Sequence, residues 1–155
     1  MIERTARTAA LVALMLGLVA TVALAQESDP MAGTTVEALG SFMPGAASDK
    51  ALVLLRITME PGAAIPFHQH PGAVVVTVAS GTFGTEFDRG QGTVTRVDGT
   101  AETVAAGGSA TMQAGDSLAY EGAVHTMVNE GSDQVVLLVS ALLDPNQPGF
   151  MFMDM

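Results

Sequence analysis

Residues 61–81 read Pro-Gly-Ala-Ala-Ile-Pro-Phe-His-Gln-His-Pro-Gly-Ala-Val-Val-Val-Thr-Val-Ala-Ser-Gly. A turn signal at Pro61-Gly62 opens the stretch, Pro71-Gly72 divides it and Ser80-Gly81 closes it. Between the first two turns lies an extended segment carrying His68 and His70. Residues i and i+2 of an extended chain project to one face. The two imidazoles therefore point into the same space, as a divalent metal requires of neighbouring ligands. Such pairs also occur on exposed loops, so the pair alone does not decide. Beyond the second turn, Ala73–Ala79 is a β-branched run.

The same alternation of short apolar runs and turn residues extends through the rest of the chain, and no helical period appears after residue 30. Candidate strands are Thr34–Leu39, Ala51–Met59, Ala73–Ala79, Thr82–Asp88, Thr93–Val97, Ala101–Val104, Ser109–Gln113, Ser117–Tyr120, Val124–Asn129 and Gln134–Leu142. Many short strands at this spacing predict an all-β sandwich or barrel. Ala73–Ala79 and Gln134–Leu142 are apolar on both faces. Their outward stripe needs cover from a second sheet, the N-terminal arm or another subunit, which makes a homodimer an expectation.

The chain has 155 residues and only three histidines; the third, His125, sits in the apolar stretch Val124–Val128. Strand alternation from His70 turns Val74, Val76 and Val78 to the same side, and Met127 shares parity with His125. Val74, Val76 and Met127 are thus candidate lining. Tyr120, the single tyrosine, precedes His125 by five positions and is a candidate hydrogen-bonding or acid–base group. Glu121 and Glu86 are the candidate carboxylates. Asn129 is expected to fix a turn. The tail Phe150-Met151-Phe152-Met153-Asp154-Met155 reads as a hydrophobic flap over one barrel end, or as a set of soft ligands for Cu(I).

Residues 1–25 have the three-part layout of a secretory signal: Arg4 and Arg7, an uncharged apolar run from Thr8 to Ala25, and Ala23-Leu24-Ala25 before a polar exit. The run is near the lower limit for a membrane span. The cleavage site favours export, to the periplasm or the exterior, with no stable membrane anchor after cleavage. Past residue 25, four basic residues (Lys50, Arg56, Arg89 and Arg96) face fifteen acidic ones. That balance argues against a nucleic-acid partner, since phosphate binding needs a basic face. The absence of cysteine excludes disulfides, thiolate metal sites and cysteine nucleophiles. Residues 26–46, rich in Gly, Ala and Ser, read as a loose N-terminal arm, 47–143 as the barrel and 144–155 as a Met/Phe-rich tail.

On these residues the chain resembles the cupin superfamily. One cupin motif runs Gly, five residues, His-x-His, then Glu and a distant Gly; Gly62, His68, His70 and Gly81 match it. Valines 74 and 75 stand where the glutamate would be. The second motif ends Gly, two residues, His, three residues, Asn; Gly122, His125 and Asn129 match it, while Tyr120 replaces a proline and Gly115 lies one residue nearer. All three histidines of the chain fall at the family's histidine positions. The run from His68 to Gly81 is similar to small, exported, single-barrel (cupin type-2) proteins that lack the glutamate.

The resemblance implies a single-domain, jelly-roll β-barrel over 47–143 with one divalent transition metal ion held by His68, His70 and His125. Fe, Mn, Ni, Cu, Co and Zn all suit imidazole, and sequence does not select among them. Three functions follow as expectations. The first is a dioxygenase-like oxidoreductase acting on a small organic substrate. The second is a redox-neutral isomerase, lyase or hydrolase. The third is a protein that binds a metal or small molecule without turning it over.

Overall fold

The computed structural model describes residues 29–153. The expected signal peptide over 1–25 lies outside the described residues, as do 26–28 of the arm and the last two residues of the tail. Twelve strands are described: β1 (Thr34–Phe42), β2 (Ala51–Met59), β3 (Ala64–Gln69), β4 (Gly72–Ser80), β5 (Thr82–Arg89), β6 (Gln91–Thr95), β7 (Ala101–Ala105), β8 (Ser109–Gln113), β9 (Ser117–Glu121), β10 (Val124–Asn129), β11 (Val135–Leu143) and β12 (Met151–Phe152). They form a seven-stranded sheet, β1-β2-β11-β4-β9-β6-β7, facing a five-stranded sheet, β12-β3-β10-β5-β8. Every recorded pairing is antiparallel. This is the jelly-roll arrangement of two packed sheets.

Side-chain alternation makes the core. On β4, Val74, Val76 and Val78 turn inward and are almost fully buried, while Val75 is exposed. On β11, Val135, Leu137, Val139 and Ala141 do the same. The five-stranded sheet contributes Ile65, Phe83, Phe87, Met112 and Met127 from its inner face. Each large apolar side chain buried in this way stabilises the fold by about 1.5–3 kcal/mol. The outward stripe expected on β4 and β11 is present: the two strands are neighbours, and Leu54, Val75 and Leu138 are exposed on the large sheet.

Turn glycines carry much of the motif pattern. Gly62, Gly81 and Gly122 have φ of 76°, 85° and 61°, a region that residues with a Cβ rarely adopt. At Gly81 a Cβ would also lie 2.8 Å from the Val135 side chain. Asn129 closes the connection from β10 to β11. Its Nδ2 donates to the Met59 and Asp133 carbonyls, and its Oδ1 accepts from Gly131 N–H.

The structure corrects three expectations. The arm is not loose over 34–42: it is β1, paired along its length with β2 at the sheet edge. It therefore extends the sheet instead of covering its outer face. The strand system also passes the expected 47–143 limits at both ends, through β1 and β12. Finally, β3 was absent from the expected strands. Pro66 interrupts its sequence pattern, but Pro66 and Phe67 lie at a bulge. Between the pairs His68–His125 and Ile65–Met127, β3 holds one residue more than β10. A bulge tolerates a residue without an N–H.

Candidate metal centre

β3 and β10 are adjacent antiparallel strands, and their register places His68 directly opposite His125. The ring centroids are 4.5 Å apart. His70 follows β3 by one residue and brings its ring to 5.1 Å from His68 and 5.9 Å from His125. One ligand atom from each histidine lies within 4.8 Å of the other two. Bulges flank His125 on both sides. Besides the one in β3, β5 carries an extra residue between its pairings with Val124 and His125. Bulges twist a strand and re-aim its side chains.

In each histidine, Nδ1 is engaged by the protein. His68 Nδ1–H donates to the Pro66 carbonyl at 2.8 Å, and His70 Nδ1–H to the Gly149 carbonyl at 2.8 Å. His125 Nδ1 lies 3.1 Å from the Thr126 carbonyl and 3.2 Å from Thr85 Oγ1. The Thr85 hydroxyl donates to that same carbonyl, leaving its oxygen free to accept. A carbonyl only accepts, so Nδ1 carries the proton and Nε2 carries the lone pair. His125 Nε2 is buried and has no hydrogen-bond partner among the described residues. A buried nitrogen lone pair left without a donor is costly in protein and normal in a metal ligand. Nδ1 anchoring is also how metal-ligating imidazoles are oriented. The residues present fit a divalent transition metal.

Electrostatics agree with that chemistry. Burial lowers the His68 pKa to about 4, with the neighbouring His70 adding to the effect. Burial lowers His70 as well, and pushes His125 well below the ordinary value, with help from His68 and His70. All three are therefore neutral at pH 7, the form that binds metal. Phe87 stacks on His125, with centroids 5.7 Å apart and planes tilted by 24°. Gly92 lets Phe87 sit there, since a Cβ at Gly92 would lie 2.5 Å from the ring.

His68 and His70 line a cavity of about 120 Å³ together with Val74, Val76, Met127 and Tyr120, all of which were candidates from sequence; His125 is fully buried and is not part of the lining. Tyr120 comes from the opposite sheet; its ring lies 4.4 Å from His125 and 6.0 Å from His70. Burial pushes its hydroxyl pKa up and keeps it protonated.

The other two acid–base candidates are corrected. Glu86 lies between inward-facing Thr85 and Phe87 and is exposed. Glu121 follows inward-facing Tyr120 and is exposed in the same way. Neither lines the cavity. The tail does reach the site. Met151 and Phe152 pair with Gln69 and His68, and Met153 N–H donates to the Phe67 carbonyl. Phe150 lines the cavity, 6.1 Å from His68 and 6.4 Å from His70.

Sequence reasoning missed Thr85, Phe87 and the Gly149 carbonyl. Thr85 had no local signal, because its approach to His125 depends on the pairing of β5 with β10. A backbone carbonyl has no residue signature.

No family model matches this sequence, and no curated protein is similar to it. Solved structures share its fold. A recombinant oxalate oxidase in complex with glycolate superposes with a TM-score of 0.51 at 21% identity, covering 81% of this chain and 57% of its own. Bacillus subtilis oxalate decarboxylase, in a study of its Mn(II) centers, gives 0.53 at 23% identity over 78% of this chain and 28% of its own. A substituted form of that decarboxylase gives 0.54 at 23%, over 83% and 30%. This chain thus spans just over half of the oxidase and under a third of the decarboxylase. The fold defined here is shared with both enzymes.

Proposed function

We propose that the chain is an exported cupin that holds one divalent transition metal ion on His68, His70 and His125 for a dioxygenase-like oxidation of a small organic substrate. The observation that carries this reading is His125. Its ring is fully buried and anchored at Nδ1, and its Nε2 has no partner, beside two other imidazoles held the same way. An ion bound there supplies open coordination positions and, if redox-active, electrons for reaction with dioxygen. The chain's own groups do the rest. The Pro66, Gly149 and Thr126 carbonyls and the Thr85 hydroxyl orient the rings. Val74, Val76 and Met127 keep the cavity apolar and restrict water. Tyr120 offers a protonated hydroxyl from the facing sheet.

Redox-neutral isomerase, lyase or hydrolase chemistry needs a positioned general base. Among the described residues no carboxylate lines the cavity, and Tyr120 holds its proton. The same observation favours a second reading, a protein that binds a metal or small molecule without turnover. Export to the periplasm or exterior rests on residues 1–25. The exposed stripe around Val75 and Leu138 is where we place a homodimer contact.

Oxygen uptake separates the two main readings. Protein loaded in turn with Fe²⁺, Mn²⁺, Cu²⁺ and Ni²⁺ is offered a panel of small enols, phenols, diketones and thiols. The oxidoreductase reading predicts oxygen consumption matched to substrate loss with one pairing, abolished in His125→Ala. Tight retention of a compound with no uptake anywhere in the panel supports the binding protein instead.

A further inference from the structure

The described residues include four basic side chains, and each is paired away from the cavity. Lys50 meets Asp49, Arg56 meets Glu37, Arg89 meets Asp88, and Arg96 meets Asp116 and Glu102. None of the four lines the cavity. Its walls are aliphatic, with Leu55, Ile57, Val74, Val76, Val139 and Ala141 among them, and the ionisable side chains on them are His68, His70 and Tyr120. The whole chain carries a formal charge of −10.

A small dianion entering this space without a metal ion present leaves water and meets no cationic side chain among the described residues. Burying an unpaired charge costs several kcal/mol even after relaxation, and the acidic surface repels it on approach; a bound divalent ion would itself offset that charge. An apolar body gains about 25 cal/mol for each Å² it removes from water. Size narrows the choice further. The cavity measures about 120 Å³, and an apolar cavity of roughly 150 Å³ accepts benzene. One ring fills the space. Val36 and Phe150, 47% and 38% exposed, line it at the solvent side.

We propose that the cavity takes a neutral, one-ring-sized apolar molecule bearing a single hydroxyl donor of the phenol or enol class, with its ring against the aliphatic wall and its hydroxyl toward His68 and His70, and that without a metal ion it rejects dicarboxylates. The hydroxyl end rests on the three-histidine metal reading; the ring end does not.

Calorimetric titrations test both ends. Toluene is titrated into metal-free protein, and 4-methylphenol and oxalate into metal-free and Co²⁺-loaded protein. Toluene is expected to bind without metal, and Ala141→Leu, which fills the wall, to weaken it at least tenfold. Leu143→Phe serves as a second cavity-filling variant if Ala141→Leu does not fold. Co²⁺ is expected to tighten 4-methylphenol at least tenfold, and oxalate to bind the metal-free protein more weakly than 4-methylphenol. Oxalate binding the metal-free protein more tightly than 4-methylphenol, or toluene indifferent to both cavity-filling substitutions, overturns the proposal. Toluene binding in a protein that takes up no Co²⁺ upholds the ring site and removes the metal reading instead.

Discussion

Replacing His125 with alanine is expected to weaken metal binding severely. The substitution removes one of three nitrogen ligands and the one most deeply buried, with an exposure of 0%. Changing a group that merely orients a ligand typically weakens metal affinity by roughly 10–100-fold, so losing the ligand itself is expected to weaken it by more than about 100-fold. Two comparisons give the result its meaning. Thr85→Val removes the hydroxyl beside His125 Nδ1 and leaves the imidazole in place; a loss of roughly tenfold is expected. Glu86→Ala and Glu121→Ala change exposed carboxylates outside the cavity and are expected to leave affinity unchanged. Competition against a chromophoric chelator reads all four. A His125→Ala protein that is folded and binds metal as the parent does would remove that residue from the centre.

The second large effect is acid destabilisation of the metal-free protein. The three imidazoles have pKa values lowered in the folded state, His68 to about 4, against 6.5 for an ordinary histidine. Above pH 6.5 both folded and unfolded chains carry them neutral, and they contribute no pH dependence. As pH falls below 6.5 the unfolded chain takes up protons that the folded chain refuses, so stability falls. Each group contributes a slope of up to about 1.4 kcal/mol per pH unit until its folded pKa is reached. For His68 alone the loss by pH 4 is about 3 kcal/mol, a large share of the roughly 5–15 kcal/mol typical of a domain. His70 and His125 add to it. Asp98, Asp116 and Asp144 have folded pKa values below the ordinary carboxylate value, so the stability they contribute is lost only at lower pH. Urea midpoints of chelated protein should therefore drop steeply between pH 6.5 and 4.5, and metal-loaded protein should resist the drop. A midpoint flat across that range would mean that the imidazoles are not buried in neutral form.

What was legible in the sequence follows from what each signal encodes. Strand alternation is a local property, so the inward turn of Val74, Val76 and Tyr120 could be read from parity. Gly62, Gly81 and Gly122 mark backbone that a Cβ would strain, and they sit at left-handed turns. The histidine trio was legible because the chain has so few histidines and each matched a motif position. Alternation also held the answer for Glu121, next to inward Tyr120. Glu86 needed a register anchor, because a strand without one leaves the facing side open. Long-range register was the missing quantity elsewhere. Thr85 reaches His125 because β5 pairs with β10 across a bulge, and no local pattern announces that. The Gly149 carbonyl reaches His70 because the tail crosses to β3, seventy-nine positions along the chain. β3 was hidden by Pro66, whose missing N–H is harmless only at a bulge. The arm over 26–46 read as loose from its Gly, Ala and Ser content, although Thr34–Leu39 within it had a strand pattern; β1 is exposed along most of its length, so burial left little apolar pattern to outweigh that composition.

X-ray absorption at the metal edge, on protein reconstituted with one divalent ion, tests the shared three-imidazole centre most directly. Three imidazole scatterers with metal–nitrogen distances of about 2.0–2.1 Å, falling to two in His125→Ala, are the predicted result. A shell of oxygens alone, or a spectrum unchanged by removing His125, would contradict it.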